Sequence, residues 1–146
     1  MSESSNRQLA LRWLEYARND LQAASVILSR DDVAPRTACF LAQQSAEKAL
    51  KAILVLKGLN VIKTHDLDAI TEKLPKNEST VFESLDLTWL TEWSVESRYP
   101  GDWPEASSED AKKAVAIATE VLDVSTSFFL ANEHILRHFD TKYEAF

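Results

Sequence analysis

The chain has 146 residues, 45% of them hydrophobic, and only two glycines, a composition that suits one globular domain with one core and favours helix over sheet. Sixteen Lys and Arg against 23 Asp and Glu leave a formal charge of −7, so direct binding to long nucleic acid is not expected, because such affinity leans on neutralising phosphates. The opening MSESSNRQ lacks a basic region followed by an apolar one, and no uninterrupted apolar run approaches the roughly 18 residues of a membrane span; the expected setting is cytoplasmic, without a membrane.

The first helix is expected over residues 8–29, where Leu9, Trp13, Ala17, Asp20, Ala24 and Ile27 recur every three or four positions and share a face widened by Leu21 and Leu28. Asp20 is the exception on that face. A carboxylate there needs a cation or several hydrogen-bond donors. A structural partner on another helix, a place in a site and exposure at the rim all remain open to it. SRDDVAPR then breaks the pattern, and Pro35 suits the first turn of a second helix, expected over 35–57 and stopped by Gly58. Cys39, Ala42, Ala46, Ala49, Leu50, Ile53 and Leu56 supply its apolar face, and Glu47 and Lys51 form an i,i+4 pair. Gln43 and Gln44 either line a dimer seam or face solvent. Cys39 is the only cysteine, which excludes an internal disulfide and leaves a small buried core residue as its simplest role.

KTHDLDAITEKLP reads as a short third helix that stops before Pro75, with Thr64 or Asp66 as its cap and Asp68 near its positive end. His65 and Asp66 stand at its entrance as anchors, and no second ligand accompanies His65 at a metal-site spacing. A fourth helix is expected over 78–97. Its stripe of Val81, Leu85, Trp89 and Trp93, joined by Phe82 and Leu90, fits a core face better than a base-stacking surface. Arg98 follows at its C-terminus, where positive charge is favoured, and YPGDWP comes next. Glu92, Glu96, Asp102 and Glu105 offer Arg98 ordinary ion-pair partners nearby.

Ser107 and Asp110 resemble a capping box, with aspartate in place of the usual glutamate. The fifth helix runs from there through Ala111, Ala114, Val115, Ala118, Val121, Leu122, Phe128 and Phe129 to His134 or beyond, ending in the amphipathic tail EHILRHFDTKYEAF. His134 and His138 share a face, but two histidines alone do not make a metal site, so no metal is expected. G-x-x-x-x-G-K-[ST] and G-x-S-x-G are both absent; no catalytic residue is assigned and no cofactor is expected. The expected architecture is an all-α, antiparallel helical bundle of four main helices plus a short helix. It forms a single domain over 1–146, with its core over about 8–130 and a helical C-terminal tail.

WLEYARNDLQAA at 13–24, CFLAQQSAEKALKAILVLKG at 39–58, THDLDAI at 64–70 and SRYP at 97–100, in this order and spacing, resemble the HEPN family in its prokaryotic branch. The resemblance covers roughly residues 8–130. It implies a small helical bundle, commonly a homodimer, often acting with a minimal nucleotidyltransferase, and through the family name it proposes a nucleotide ligand. Other members of the family are RNA-cleaving toxins whose pattern is an arginine followed four to six residues later by a histidine. Arg98 is followed by YPGDWPEASSED, and the next histidine is His134, so that pattern is missing. The resemblance therefore implies a nucleotidyltransferase-associated interaction module in which Arg98 and Tyr99 form an anion-binding rim, with Asp20 as an ionic partner of Arg98. An RNase toxin with a divergent active site is the alternative, and a purely structural or antitoxin-like interaction domain is the third.

Overall fold

The computed structural model describes residues 2–94 and 99–143, with side chains as far as Ala131. Three long helices carry the fold: α1 (Glu3–Leu28), α2 (Pro35–Leu56) and α6 (Ser108–Tyr143). Between α2 and α6 lie α3 (Leu67–Thr71), α4 (Lys76–Ser79), a 3-10 turn (Thr80–Phe82) and α5 (Leu87–Thr91). The bundle is all-α and antiparallel, with no strand among the described residues.

Helix α2 is the centre, packed on one side by α1 and on the other by α6. Ala38, Ala42, Ala46 and Ala49 are fully buried on it, and the buried residues of α1 are Ala10, Leu14, Ala17 and Ala24. Small residues on both helices bring the axes close enough for the Ser45 hydroxyl on α2 to donate to the Ala17 carbonyl on α1 at 2.7 Å. The buried face of α1 keeps the expected Ala17 and Ala24, with Trp13, Leu21 and Ile27 packed against the core, and adds Ala10 and Leu14. Of the residues expected on that face, Leu9 and Leu28 reach the surface, each 37% exposed.

Local chemistry fixes the ends of the long helices. Ser2 caps α1 by accepting from the Ser5 amide at 3.1 Å. At the end of α2, Gly58 takes φ +71°, while Gly58 N–H donates to Val55 and Leu59 N–H to Leu54. This is the Schellman arrangement, which needs a left-handed residue at that point. Helix α6 opens on a reciprocal box: Asp110 N–H donates to Ser107 Oγ at 3.0 Å, and Ser107 N–H donates to Asp110 Oδ2 at 2.9 Å. The stretch Ser108–Ala131 is long and apolar enough to cross a membrane by length and composition, yet its Ala111, Ala114, Ala118 and Val121 are buried in the bundle core.

The helix expected over 78–97 is not continuous. Asp86 leaves helical geometry at ψ 71° and accepts from the Trp89 amide at 3.2 Å, so it starts α5 afresh. The chain in that region buries Phe82, Leu87, Leu90 and Trp93 and exposes Val81. Trp89 is half-buried, set edge-on to Trp93 at 5.9 Å, with the Lys113 ammonium 4.1 Å from its ring centroid. Residues 95–97 of that expected helix lie outside the described residues.

Candidate functional site

Arg36, Phe40, Gln43, Glu47 and Lys51 follow one another along α2 at intervals of three or four residues, so they share a face. Its outer end opens on a cavity of about 510 Å³, where Arg36, Thr37 and Phe40 face Trp93, Ser94 and residues 99–101 and 103–106. The volume falls within the range of roughly 300–1,000 Å³ typical of small-ligand sites. Tyr99 (65% exposed) and Trp103 (43% exposed) stand at its mouth. A tight turn sets that mouth: Asp102 N–H donates to the Tyr99 carbonyl at 3.2 Å, across Pro100 and a Gly101 with φ +89°. Proline second and a left-handed glycine third is the pattern of a type II turn. Arg36 is exposed and, among the described residues, has no carboxylate partner, although Glu105 lines the same cavity.

The inner end of the face is a polar cluster, buried except for His65, whose side chain is 40% exposed. Gln43 is fully buried, and Glu47 and Lys51 are only 6% and 7% exposed. Glu47 Oε2 accepts from Lys51 Nζ at 3.0 Å, and Glu47 Oε1 lies 2.7 Å from His65 Nδ1. Gln43 Nε2 donates to the His65 carbonyl at 3.0 Å, while its Oε1 accepts from Gln44 Nε2 at 2.8 Å. Gln43 thus serves neither solvent nor a dimer seam. Each polar group here has a partner, as burial requires. Nδ1 is the ring nitrogen of His65 that faces the carboxylate. From Phe40 to Glu47 the helix rises about 10 Å, so the cavity and the cluster are neighbours along α2.

The model of the HEPN domain family matches residues 10–128. The chain belongs to the HEPN family. Among solved structures, this HEPN domain resembles TT1696 from Thermus thermophilus, with 27% identity and a TM-score of 0.65 over 82% of this chain and 97% of that one. It also resembles ST0689, described as an archaeal HEPN homologue, with 27% identity and a TM-score of 0.60 at the same coverage. No curated protein sequence matches.

Within this HEPN domain the residues singled out from sequence occupy different places. Arg98 lies outside the described residues, and Tyr99 is at the cavity mouth. Asp20 bonds Lys48 on α2 at 2.5 Å, both side chains about a quarter exposed. His65 joins Glu47, and Asp66 caps α3 by accepting from the Asp68 and Ala69 amides at 3.1 and 3.3 Å. Two further bonds tie that entrance to α5: Leu67 N–H donates to Thr91 Oγ1 at 3.0 Å, and Thr88 Oγ1 donates to Asp68 Oδ2 at 2.6 Å. Among the described residues no three His, Cys, Asp or Glu side chains gather as a metal site. Sequence reasoning missed Arg36, Phe40 and Trp103 as cavity walls. The shared helical face of residues 36, 40, 43 and 47 was a signal for part of this, but the opposing wall comes from across the fold.

Proposed function

We propose that this HEPN domain is a homodimeric interaction module that takes a nucleotide-like anion at the rim carrying Arg98 and Tyr99 and works with a minimal nucleotidyltransferase partner. The observation that carries the ligand is the aromatic-walled cavity of about 510 Å³ beneath the exposed Tyr99. Aromatic faces stack on any base, and an arginine fork recognises phosphate. The net charge of −7 directs the choice toward a small ligand, or one presented by a partner, over a long polyanion. The partner and the homodimer come from the resemblance to the nucleotidyltransferase-associated branch. Affinity capture of the tagged protein from its own cells, with mass spectrometry of stoichiometric species, tests the partner: recovery of a small nucleotidyltransferase is expected, and recovery of this chain alone removes it. Arg98→Ala then tests the rim by loss of nucleotide binding.

A second reading, metal-independent RNA cleavage by a toxin-type HEPN domain, is favoured by the bond between Glu47 and His65. An imidazole fixed in this way suits proton transfer. It would take the proton of a ribose 2′-hydroxyl as that oxygen attacks the neighbouring phosphorus, while the 5′-oxygen leaves and acquires a proton. The products are a 2′,3′-cyclic phosphate and a 5′-hydroxyl, with the arginine of the rim stabilising the phosphorane charge. Incubating RNA with the protein in a chelator and mapping the ends tests this. Cyclic ends lost with His65→Ala support it, and intact RNA sinks it. If neither nucleotide binding nor cleavage is found, the antitoxin-like interaction domain is what remains.

A further inference from the structure

We infer that the cavity beneath the turn at 99–102 binds one nucleoside monophosphate unit, with Arg36 as its phosphate anchor. This rests on the nucleotide-binding reading above and adds both the residue and the ligand class. Lys48, Lys51 and Lys57 on α2 or just past its end are committed to Asp20, Glu47 and Glu78. Arg36 has no such commitment among the described residues, and its side chain helps line the cavity. A guanidinium presents paired donors matched to two phosphate oxygens and keeps its charge at any physiological pH.

The remaining walls select what accompanies the phosphate. Phe40 and Trp93 lie within, Tyr99 and Trp103 stand at the mouth, and together they offer flat faces to a single base. Glu105 lines the same space and has no cationic partner among the described residues. Its charge opposes a longer polyphosphate, so a single phosphate suits the cavity better than three. The phosphate belongs either to a free nucleotide or to the 5′ end of a short strand, since the recognised chemistry is the same.

Tryptophan fluorescence of the full chain reports the cavity directly, because Trp93 and Trp103 are in its walls. The probes are AMP, adenosine, ATP, and tetraadenylate with and without a 5′-phosphate. A saturable change with AMP is expected, with adenosine weaker by roughly ten- to hundredfold for the lost charged hydrogen bonds. Arg36→Ala should weaken AMP roughly tenfold toward the level of adenosine, with a circular-dichroism melt matching the parent because the side chain is exposed. Binding of the 5′-phosphorylated tetranucleotide beside AMP identifies a strand end as an occupant, and binding of AMP alone identifies the free nucleotide; both support the assignment. AMP binding unchanged by Arg36→Ala, or ATP binding tighter than AMP, overturns it while leaving the Arg98–Tyr99 rim standing. No response to any nucleotide overturns both.

Discussion

Replacing Glu47 by alanine puts the buried face of α2 to a quantitative test. Glu47 and Lys51 are 6% and 7% exposed, and the same carboxylate holds His65 Nδ1 at 2.7 Å. Truncation leaves a buried ammonium without its counter-ion, a change that costs about 3–5 kcal/mol. That is a large part of a typical domain stability of about 5–15 kcal/mol. With a urea dependence of about 2 kcal/mol per molar, the unfolding midpoint should fall by roughly 2 M. Glu47→Gln keeps the shape and one acceptor, and should lose less, about 1.5–3 kcal/mol. The double variant Glu47→Leu with Lys51→Met removes both charges and should recover most of the loss, since an apolar pair of similar volume is often at least as stable as a buried ion pair. A loss below about 1 kcal/mol for Glu47→Ala would mean the cluster is solvated and the pairing argument wrong. A double variant as unstable as Glu47→Ala would refute it too.

Ala46→Leu forces extra volume into the fully buried core around α2 and should lower the melting temperature by roughly 3–10 °C; an unchanged melt would deny the tight packing. Asp86→Ala removes the cap that restarts α5, and thermal unfolding should register about 1 kcal/mol of lost stability. Arg30 holds the Asp32 carboxyl below its ordinary range through a hydrogen bond. Because that folded-state value is depressed, the stabilisation is present above the unfolded value of about 3.9 and fades as pH falls through the folded one. In an NMR titration, Arg30→Ala should move the Asp32 midpoint upward; no movement would remove the pair's effect.

The helical class and several helix ends were legible because they depend on short-range chemistry. Pro35, Gly58 and the Ser107–Asp110 pair act within a few residues of themselves. Ala17 and Ala24 were legible on the buried face of α1, whereas Ala10 and Leu14 were missed and Leu9 and Leu28 over-weighted, because apolar periodicity counts large side chains while small ones decide the close contact with α2. A stripe repeating every fourth residue hid the restart at Asp86, whose capping oxygen carries no hydrophobic signal. At the site, the Glu47–Lys51 pair was readable as neighbours on one helix. Its third member, His65, approaches from the loop before α3, and only tertiary structure brings it there. The cavity is the same case, since Arg36 and Phe40 meet a wall contributed by residues 99–106.

The central position of α2 also sets an order of assembly. Only residues 29–34 separate α1 from α2, whereas residues 57–107 separate α2 from α6. Each doubling of a loop costs about 0.6 kcal/mol of closure entropy, so joining α6 costs about 2 kcal/mol more than closing the first hairpin. The α1–α2 hairpin should therefore form the nucleus, with α6 docking after the main barrier has been crossed. In a chevron analysis, Ala42→Gly on α2 should slow refolding, while Ala118→Gly on α6 should mainly hasten unfolding. The helix that the cavity and the polar cluster share would then be among the first parts of the chain to take shape.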